Sequence, residues 1–233
     1  MSNVLYGLIW VLFNGLGWLL FRLRTSGRKH VPRRGGLVVA ANHASYMDIP
    51  LLGCGFPRRL SFLGRQDLFS FPGMKGFLRW LGWIPIRQDR LDRTAVGKTV
   101  GLIKSGQAVV IYPEGTRSRD GQLQPGKPGI GVIVAEAGCP VLPVYLGGTH
   151  DVLPVDACWP RFRRLRVVIG EPMDFSADSK RFSGKEFYQF VSRTVMARIA
   201  ELGHVALPKD PSDPFKRAAK PGDHPAAGPC KAE

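Results

Sequence analysis

The sequence predicts an α/β domain, a largely parallel, mixed sheet flanked by helices. Three observations carry that prediction. Short apolar runs without alternation read as strands buried on both faces. Segments with apolar residues at helical spacing lie between them. The two kinds of segment alternate along the chain, as parallel strands joined by crossover helices require.

Leu37-Val38-Val39-Ala40-Ala41 is the first buried-strand run. Ala108-Val109-Val110-Ile111-Tyr112 and Val141-Leu142-Pro143-Val144-Tyr145 have the same character. Leu165 to Ile169 alternates less cleanly and is expected at a sheet edge. Trp83-Ile84-Pro85-Ile86 carries a proline, which cannot donate to a central ladder, so it reads as an edge or a strand start. Val96, Thr99, Val100 and Ile103 share a helical face that Gly106 can close. Pro128 opens a second helix with Ile130, Ile133, Val134 and Ala137 on one face, and Gly138 ends it. Ser183 with Glu186 is a capping-box pattern before a third helix, whose apolar face runs from Phe187 through Val191, Val195 and Ile199 to Leu202.

A chain of 233 residues suits one domain with appendages, and 44% hydrophobic residues are enough for a sizeable core. Lys and Arg number 33 against 18 Asp and Glu, a net charge of +15, so the partners are anionic: nucleic acid, a membrane surface or phosphate-bearing substrates. Cys54, Cys139, Cys158 and Cys230 are scattered, without metal spacing, and read as free thiols in a reducing compartment. His30, His150 and His204 have no spacing that recruits His43 into a ligand set. Neither a metal nor an organic cofactor is implied.

Val4 to Phe21 contains no charge and, at about 18 residues, is close to the minimum for crossing a bilayer core. Asn14 and three glycines weaken it as a span, whereas Trp10 and Trp18 suit an interface. Arg22, Arg24, Arg28, Lys29, Arg33 and Arg34 follow it, the opposite order to a cleaved signal peptide. The expectation is an N-terminal membrane-anchoring helix over residues 1–29 with its basic flank, either spanning or lying in the interface. The positive-inside rule then puts the remainder on the cytoplasmic face of the inner membrane. Residues 30–207 form the predicted domain. Residues 208–233, rich in Pro, Ala, Lys and Asp, are expected to be a disordered tail.

Chemistry enters just after the first strand, at Asn42-His43-Ala44-Ser45-Tyr46-Met47-Asp48. An imidazole oriented by a carboxylate is a general base that works near neutral pH. In that reading Asp48 holds one ring nitrogen of His43 and the other takes a proton from a substrate hydroxyl. The other reading makes Asp48 a helix cap and His43 a polar loop residue. A second segment, Tyr112-Pro113-Glu114-Gly115-Thr116-Arg117, follows another strand. Its Gly115-Thr116-Arg117 turn offers backbone N–H groups, a hydroxyl and a guanidinium, a cradle for phosphate. A solvated turn with surface arginines is the alternative.

These segments resemble the ordered motifs of the 1-acyl-sn-glycerol-3-phosphate acyltransferase (lysophosphatidic acid acyltransferase) family, over residues 30 to 200. The His43 to Asp48 stretch is similar to the first motif. Gly82-Trp83-Ile84-Pro85-Ile86-Arg87 is similar to the second, whose arginine is tied to the acceptor phosphate. Tyr112 to Arg117 matches the third, and Val141 to Tyr145 the fourth, whose proline shapes the site. The family often carries Lys-x-Glu-Leu before the second motif. Here Arg65-Gln66-Asp67-Leu68 stands there, so Arg65 keeps the charge with another donor geometry.

The resemblance implies a single glycerolipid-acyltransferase domain that moves a fatty acyl group from a thioester to the sn-2 hydroxyl of lysophosphatidate, giving phosphatidic acid. Acyl-CoA or acyl-carrier protein is the co-substrate. It implies His43 as base and Asp48 as its orienter, with Arg117, Gly115, Thr116 and Arg87, and more weakly Arg65, at the phosphate. Glu114 is expected to orient Arg117 or the glycerol. Backbone N–H groups near the third motif are candidates for the oxyanion. The same chemistry on a lyso-ornithine lipid, another lysophospholipid or glycerol 3-phosphate is a second reading. A non-catalytic basic protein that binds lipid or nucleic acid is a third, but the aromatics do not interleave with the basic clusters, so no nucleic-acid partner is expected.

Overall fold

The computed structural model describes residues 3–65, 83–86, 93–157 and 159–207. Arg87 and the expected tail, residues 208–233, lie outside the described residues.

Among the described residues seven strands form one sheet: β1 (Arg24–Ser26), β2 (Leu37–Ala41), β3 (Leu60–Arg65), β4 (Trp83–Ile86), β5 (Ala108–Ile111), β6 (Val141–Gly147) and β7 (Arg166–Ile169). Their order is β1-β7-β6-β2-β5-β3-β4. Every pairing is parallel except β6 with β7. The expected largely parallel, mixed sheet is therefore present. β2 sits at its centre between β6 and β5 and is buried along its whole length.

The pleat of β2 sends alternate residues to two cores, as a period of two requires. Leu37, Val39 and Ala41 face one core with Leu51 and Leu52 of α2 (Asp48–Gly55) and Phe56 at its C-cap. Val38 and Ala40 face the other. That second core is covered by α3 (Arg93–Lys104), α4 (Gly129–Ala137) and α7 (Gly184–Gly203). The predicted faces are the ones used: Thr99, Val100 and Ile103 on α3, Ile130, Ile133 and Val134 on α4, and Phe187, Val191, Val195 and Ile199 on α7 are buried. α4 lies so close to α7 that a Cβ on Gly131 would collide with the backbone of Tyr188. Two short helices, α5 (Thr149–Val152) and α6 (Asp178–Arg181), complete the layers.

Two local expectations are corrected. Leu165 to Ile169 is not an edge: β7 lies between β1 and β6, because the unpredicted β1 adds outside it. Ser183 does occupy the N-cap of α7, but its side chain makes no capping bond; its carbonyl oxygen instead accepts from Glu186 N–H at 3.2 Å. β4 does lie at the edge, as its proline requires.

The N-terminal run forms α1 (Asn3–Phe21), which packs near α2. Among the described residues no helix is long and apolar enough to cross a membrane. α1 instead leaves Val11, Leu12, Leu16, Trp18 and Leu19 exposed.

Candidate active site

β2 ends at Ala41, and the next residue clips that end in place. Asn42 is buried; its amide donates to Leu146 C=O at 3.0 Å, and its carbonyl oxygen accepts from Leu146 N–H at 2.7 Å. The clip ties the exit of β2 to β6 and delivers His43 at the carboxyl end of the parallel strands, where α/β sheets present their reactive groups.

Asp48 is the first residue of α2 and 0% exposed. Its Oδ2 accepts from His43 Nδ1 at 2.7 Å, from Ala44 N–H at 2.8 Å and from Ser45 N–H at 2.9 Å. The alternative reading of Asp48 as an end cap fails on geometry: its carboxylate turns back to the preceding loop. Ser45 braces that loop by donating to Leu153 C=O at 2.7 Å and accepting from Met47 N–H at 3.1 Å. A carboxylate only accepts, so the proton between the pair sits on Nδ1, and Nε2 is left with its lone pair.

The second segment grips the first. His43 N–H donates to Glu114 Oε1 at 3.0 Å, and His43 C=O accepts from Ser118 N–H at 2.8 Å. Both backbone polar groups of His43 are thus held by the turn after β5. Tyr112 stacks on the imidazole with ring centroids 4.0 Å apart and planes 15° from parallel, which fixes the ring's plane. The turn closes through Gly115 N–H to Tyr112 C=O at 3.0 Å, and Gly115 has a φ of 69°, a conformation that favours glycine.

Arg117 is half-buried. Its guanidinium carbon lies 3.7 Å above the Tyr46 ring centroid, a cation–π contact that holds the fork flat. Its Nη1 is buried and has no hydrogen-bond partner among the described residues. A buried donor on a cation without an acceptor is costly, and an anionic oxygen satisfies it best. Thr116 and Gly115 are exposed on the same turn. Arg65 ends β3 on the far side of β5 from β2.

Glu114, expected to orient Arg117 or the glycerol, bonds to two backbone amides. It is 2% exposed, with Oε1 on His43 N–H and Oε2 accepting from Gln124 N–H at 3.3 Å, so its carboxyl ties together two backbone segments and makes no contact with Arg117. Burial pushes its pKa up to about 8; its two backbone bonds oppose the shift, and the charges of Asp48 and Asp120 add to it. Burial, with the neighbouring Asp48 charge, also pushes the Tyr112 phenol well above its ordinary range.

The sequence reading missed three contributors. Tyr112 was read as the end of a strand and the first residue of the third motif, with no role of its own, and its stacking on His43 has no signature in spacing. Tyr46 lies within the first motif, yet its contact with Arg117 joins two loops. Lys127 reaches back over Gly115, where an added Cβ would lie 2.9 Å from Lys127 Cδ and 3.0 Å from Nζ. That ammonium adds a second cation to the turn.

The acyltransferase family model matches residues 22–147, more than half of the 233-residue chain. A chloroplast 1-acyl-sn-glycerol-3-phosphate acyltransferase of Brassica napus is 34% identical over 120 residues, covering 50% of this chain and 34% of that protein. The chain therefore spans about a third of that relative's length. The 1-acyl-sn-glycerol-3-phosphate acyltransferase of Bacillus subtilis is 25% identical over 183 residues, covering 77% of this chain and 87% of the relative. A lyso-ornithine lipid O-acyltransferase of Pseudomonas aeruginosa is 31% identical over 146 residues, covering 62% of this chain and 55% of that protein. The crystal structure of the 1-acyl-sn-glycerophosphate acyltransferase PlsC from Thermotoga maritima superposes with a TM-score of 0.68 at 28% identity, covering 85% of this chain and 81% of that one. With its strand order, paired loops and motif segments set beside these matches, the chain belongs to the acyltransferase family.

Proposed function

We propose that this chain transfers a fatty acyl group from a thioester to the sn-2 hydroxyl of 1-acyl-sn-glycerol 3-phosphate. The observation that carries this reading is the grip of the 114–118 turn on the His43 peptide, which joins a base held by a carboxylate to a guanidinium in want of an anion. The acceptor's phosphate binds Arg117 and the Gly115–Thr116 backbone, with Lys127 beside them. Its free hydroxyl then meets Nε2 of His43. As the hydroxyl oxygen attacks the thioester carbonyl, its proton passes to Nε2. The C–S bond breaks as the tetrahedral adduct collapses, and the proton leaves with the thiolate. Asp48 stabilises the imidazolium throughout, the orienting logic of a hydrolase triad without an enzyme nucleophile. The thioester donor is acyl-CoA or acyl-carrier protein, and residues 30–207 form the catalytic domain.

In this reading α1 lies in the membrane interface with its exposed apolar side in lipid, and the basic flank rests on anionic headgroups on the cytoplasmic face. A lyso-ornithine lipid is the second acceptor to test, since one relative carries that name.

Transfer of labelled palmitoyl groups by purified protein to a panel of lysophosphatidate, lysophosphatidylcholine, lyso-ornithine lipid and glycerol 3-phosphate tests the assignment. Lysophosphatidate is expected to give the highest kcat/KM. Arg117→Ala is expected to lower that value about 10- to 100-fold, the worth of a hydrogen bond to a charged group, and to leave a phosphate-free acceptor nearly unaffected. Equal losses on both acceptors would remove the phosphate role of Arg117.

A further inference from the structure

α1 is not the only apolar surface left in solvent. The 159–164 loop, Trp159-Pro160-Arg161-Phe162-Arg163-Arg164, is exposed throughout, with Trp159 at 84% and Phe162 at 67%. A single exposed aromatic needs no explanation. Phe162 adjoins α1: the Phe162 and Phe21 rings lie 5.7 Å apart, and Leu165 N–H donates to Phe21 C=O at 3.0 Å. The loop is pinned on its other side by Arg161 N–H to Val152 C=O at 2.7 Å. The exposed apolar surface of α1, with Trp18 at 67% exposure, therefore meets the loop where Phe21 packs on Phe162. Patches of that kind mark interaction sites.

Charge identifies what covers it. Arg22, just after α1, and Arg161, Arg163 and Arg164 of the loop are all exposed. Neither residues 1–47 nor residues 157–170 contain an acidic side chain. Aromatic rings flanked by arginines match the headgroup layer of an anionic bilayer, where rings sit at the interface and guanidinium groups meet phosphate.

We propose that the 159–164 loop is a second membrane-docking element, inserting Trp159 and Phe162 into an anionic bilayer beside α1. The loop also sets the depth of the active site. Val152 C=O holds the loop through Arg161 N–H, and the next carbonyl, Leu153 C=O, holds Ser45 of the His43–Asp48 loop. Two adjacent peptides therefore fix the base relative to the lipid surface. This inference rests on the interfacial reading of α1, but its readout is vesicle binding and does not depend on acyl transfer.

The test is co-sedimentation of the full chain with sucrose-loaded vesicles, either of phosphatidylcholine alone or with about a quarter phosphatidylglycerol. Trp159→Ala/Phe162→Ala is expected to weaken binding to both by about ten-fold or more. Arg161→Gln/Arg163→Gln/Arg164→Gln is expected to lose about ten-fold or more on the anionic vesicles and little on the neutral ones. Leu16→Glu/Leu19→Glu reports on α1 separately. Circular dichroism melts matched to wild type establish that the exposed-site variants are folded. Loss in the α1 variant with wild-type binding in both loop variants would overturn the loop's role and leave α1 standing. Wild-type binding in all three would overturn both. A loop variant that keeps its vesicle binding but changes oligomeric state would assign the patch to protein association instead.

Discussion

Asp48 Oδ2 accepts three hydrogen bonds while Oδ1, equally buried, has no partner among the described residues. All its orienting power is thus directed at one side, the side that holds His43. Glu114 complements it from the turn after β5, but as a clamp on backbone amides. Its burial has a consequence for stability. The folded carboxyl keeps its proton up to a pKa of about 8, whereas in the unfolded chain it ionises near 4.5. Between those values the folded state binds more protons than the unfolded one, so this group makes stability fall as pH rises from about 4.5 to 8. Glu114→Gln removes that titration. Denaturant melts from pH 5 to pH 8 are expected to show the variant less stable at the acid end, where it loses one acceptor, with the gap narrowing as pH rises. A gap independent of pH would show that Glu114 titrates normally.

Among the elements, β2 and β6 carry the site because Asn42 locks them beyond their last paired residues. Asn42→Ala removes two buried hydrogen bonds and orphans both polar groups of Leu146. The expected cost is about 2–4 kcal/mol in urea melts, with activity falling as His43 loses its mounting. A cost below about 0.5 kcal/mol would mean that water or backbone shift replaces the clip. The strands read most plainly in the sequence were those buried on both faces, β2, β5 and β6, from their uniform apolar runs; β4 and β7 were also read, β7 with an edge position that β1 takes instead. β1, Arg-Thr-Ser, could not be read, because an edge strand of three polar residues is specified by its partner β7 rather than by its own pattern. β3 escaped for a related reason: Ser61 and Gly64 interrupt its run, and burial by α2 and β5 compensates.

For the whole molecule, the residues that touch within one segment were legible and those that meet across segments were not. His43 and Asp48 share a loop, so their spacing announced their contact. Glu114 was expected to orient Arg117 or the glycerol, and its carboxyl accepts from His43 N–H, 71 positions away. Tyr112 and Tyr46 entered the site the same way, through the parallel register of β2 and β5 that brings their loops together. The charge of +15 was read as a call for anionic partners, and the fold sorts part of it into two places, the Arg117–Lys127 turn and the arginines around α1. Salt distinguishes them. Vesicle binding is expected to weaken several-fold between low and physiological ionic strength, because the rim arginines are exposed and screened, while KM for a soluble short-chain lysophosphatidate changes less, because Arg117 is half-buried. Parallel changes in both would place the two sites in the same dielectric environment.

The central claim is that His43 deprotonates the acceptor of an acyl transfer. Its most direct test compares wild type with His43→Ala in transfer of labelled palmitate from palmitoyl-CoA and palmitoyl-acyl-carrier protein to 1-acyl-sn-glycerol 3-phosphate. Wild type is expected to form phosphatidate with at least one donor, and the variant to lose about a hundred- to ten-thousand-fold in kcat while melting as wild type does. A folded His43→Ala protein within ten-fold of wild type, or a wild type that makes no phosphatidate from either donor, would contradict the account.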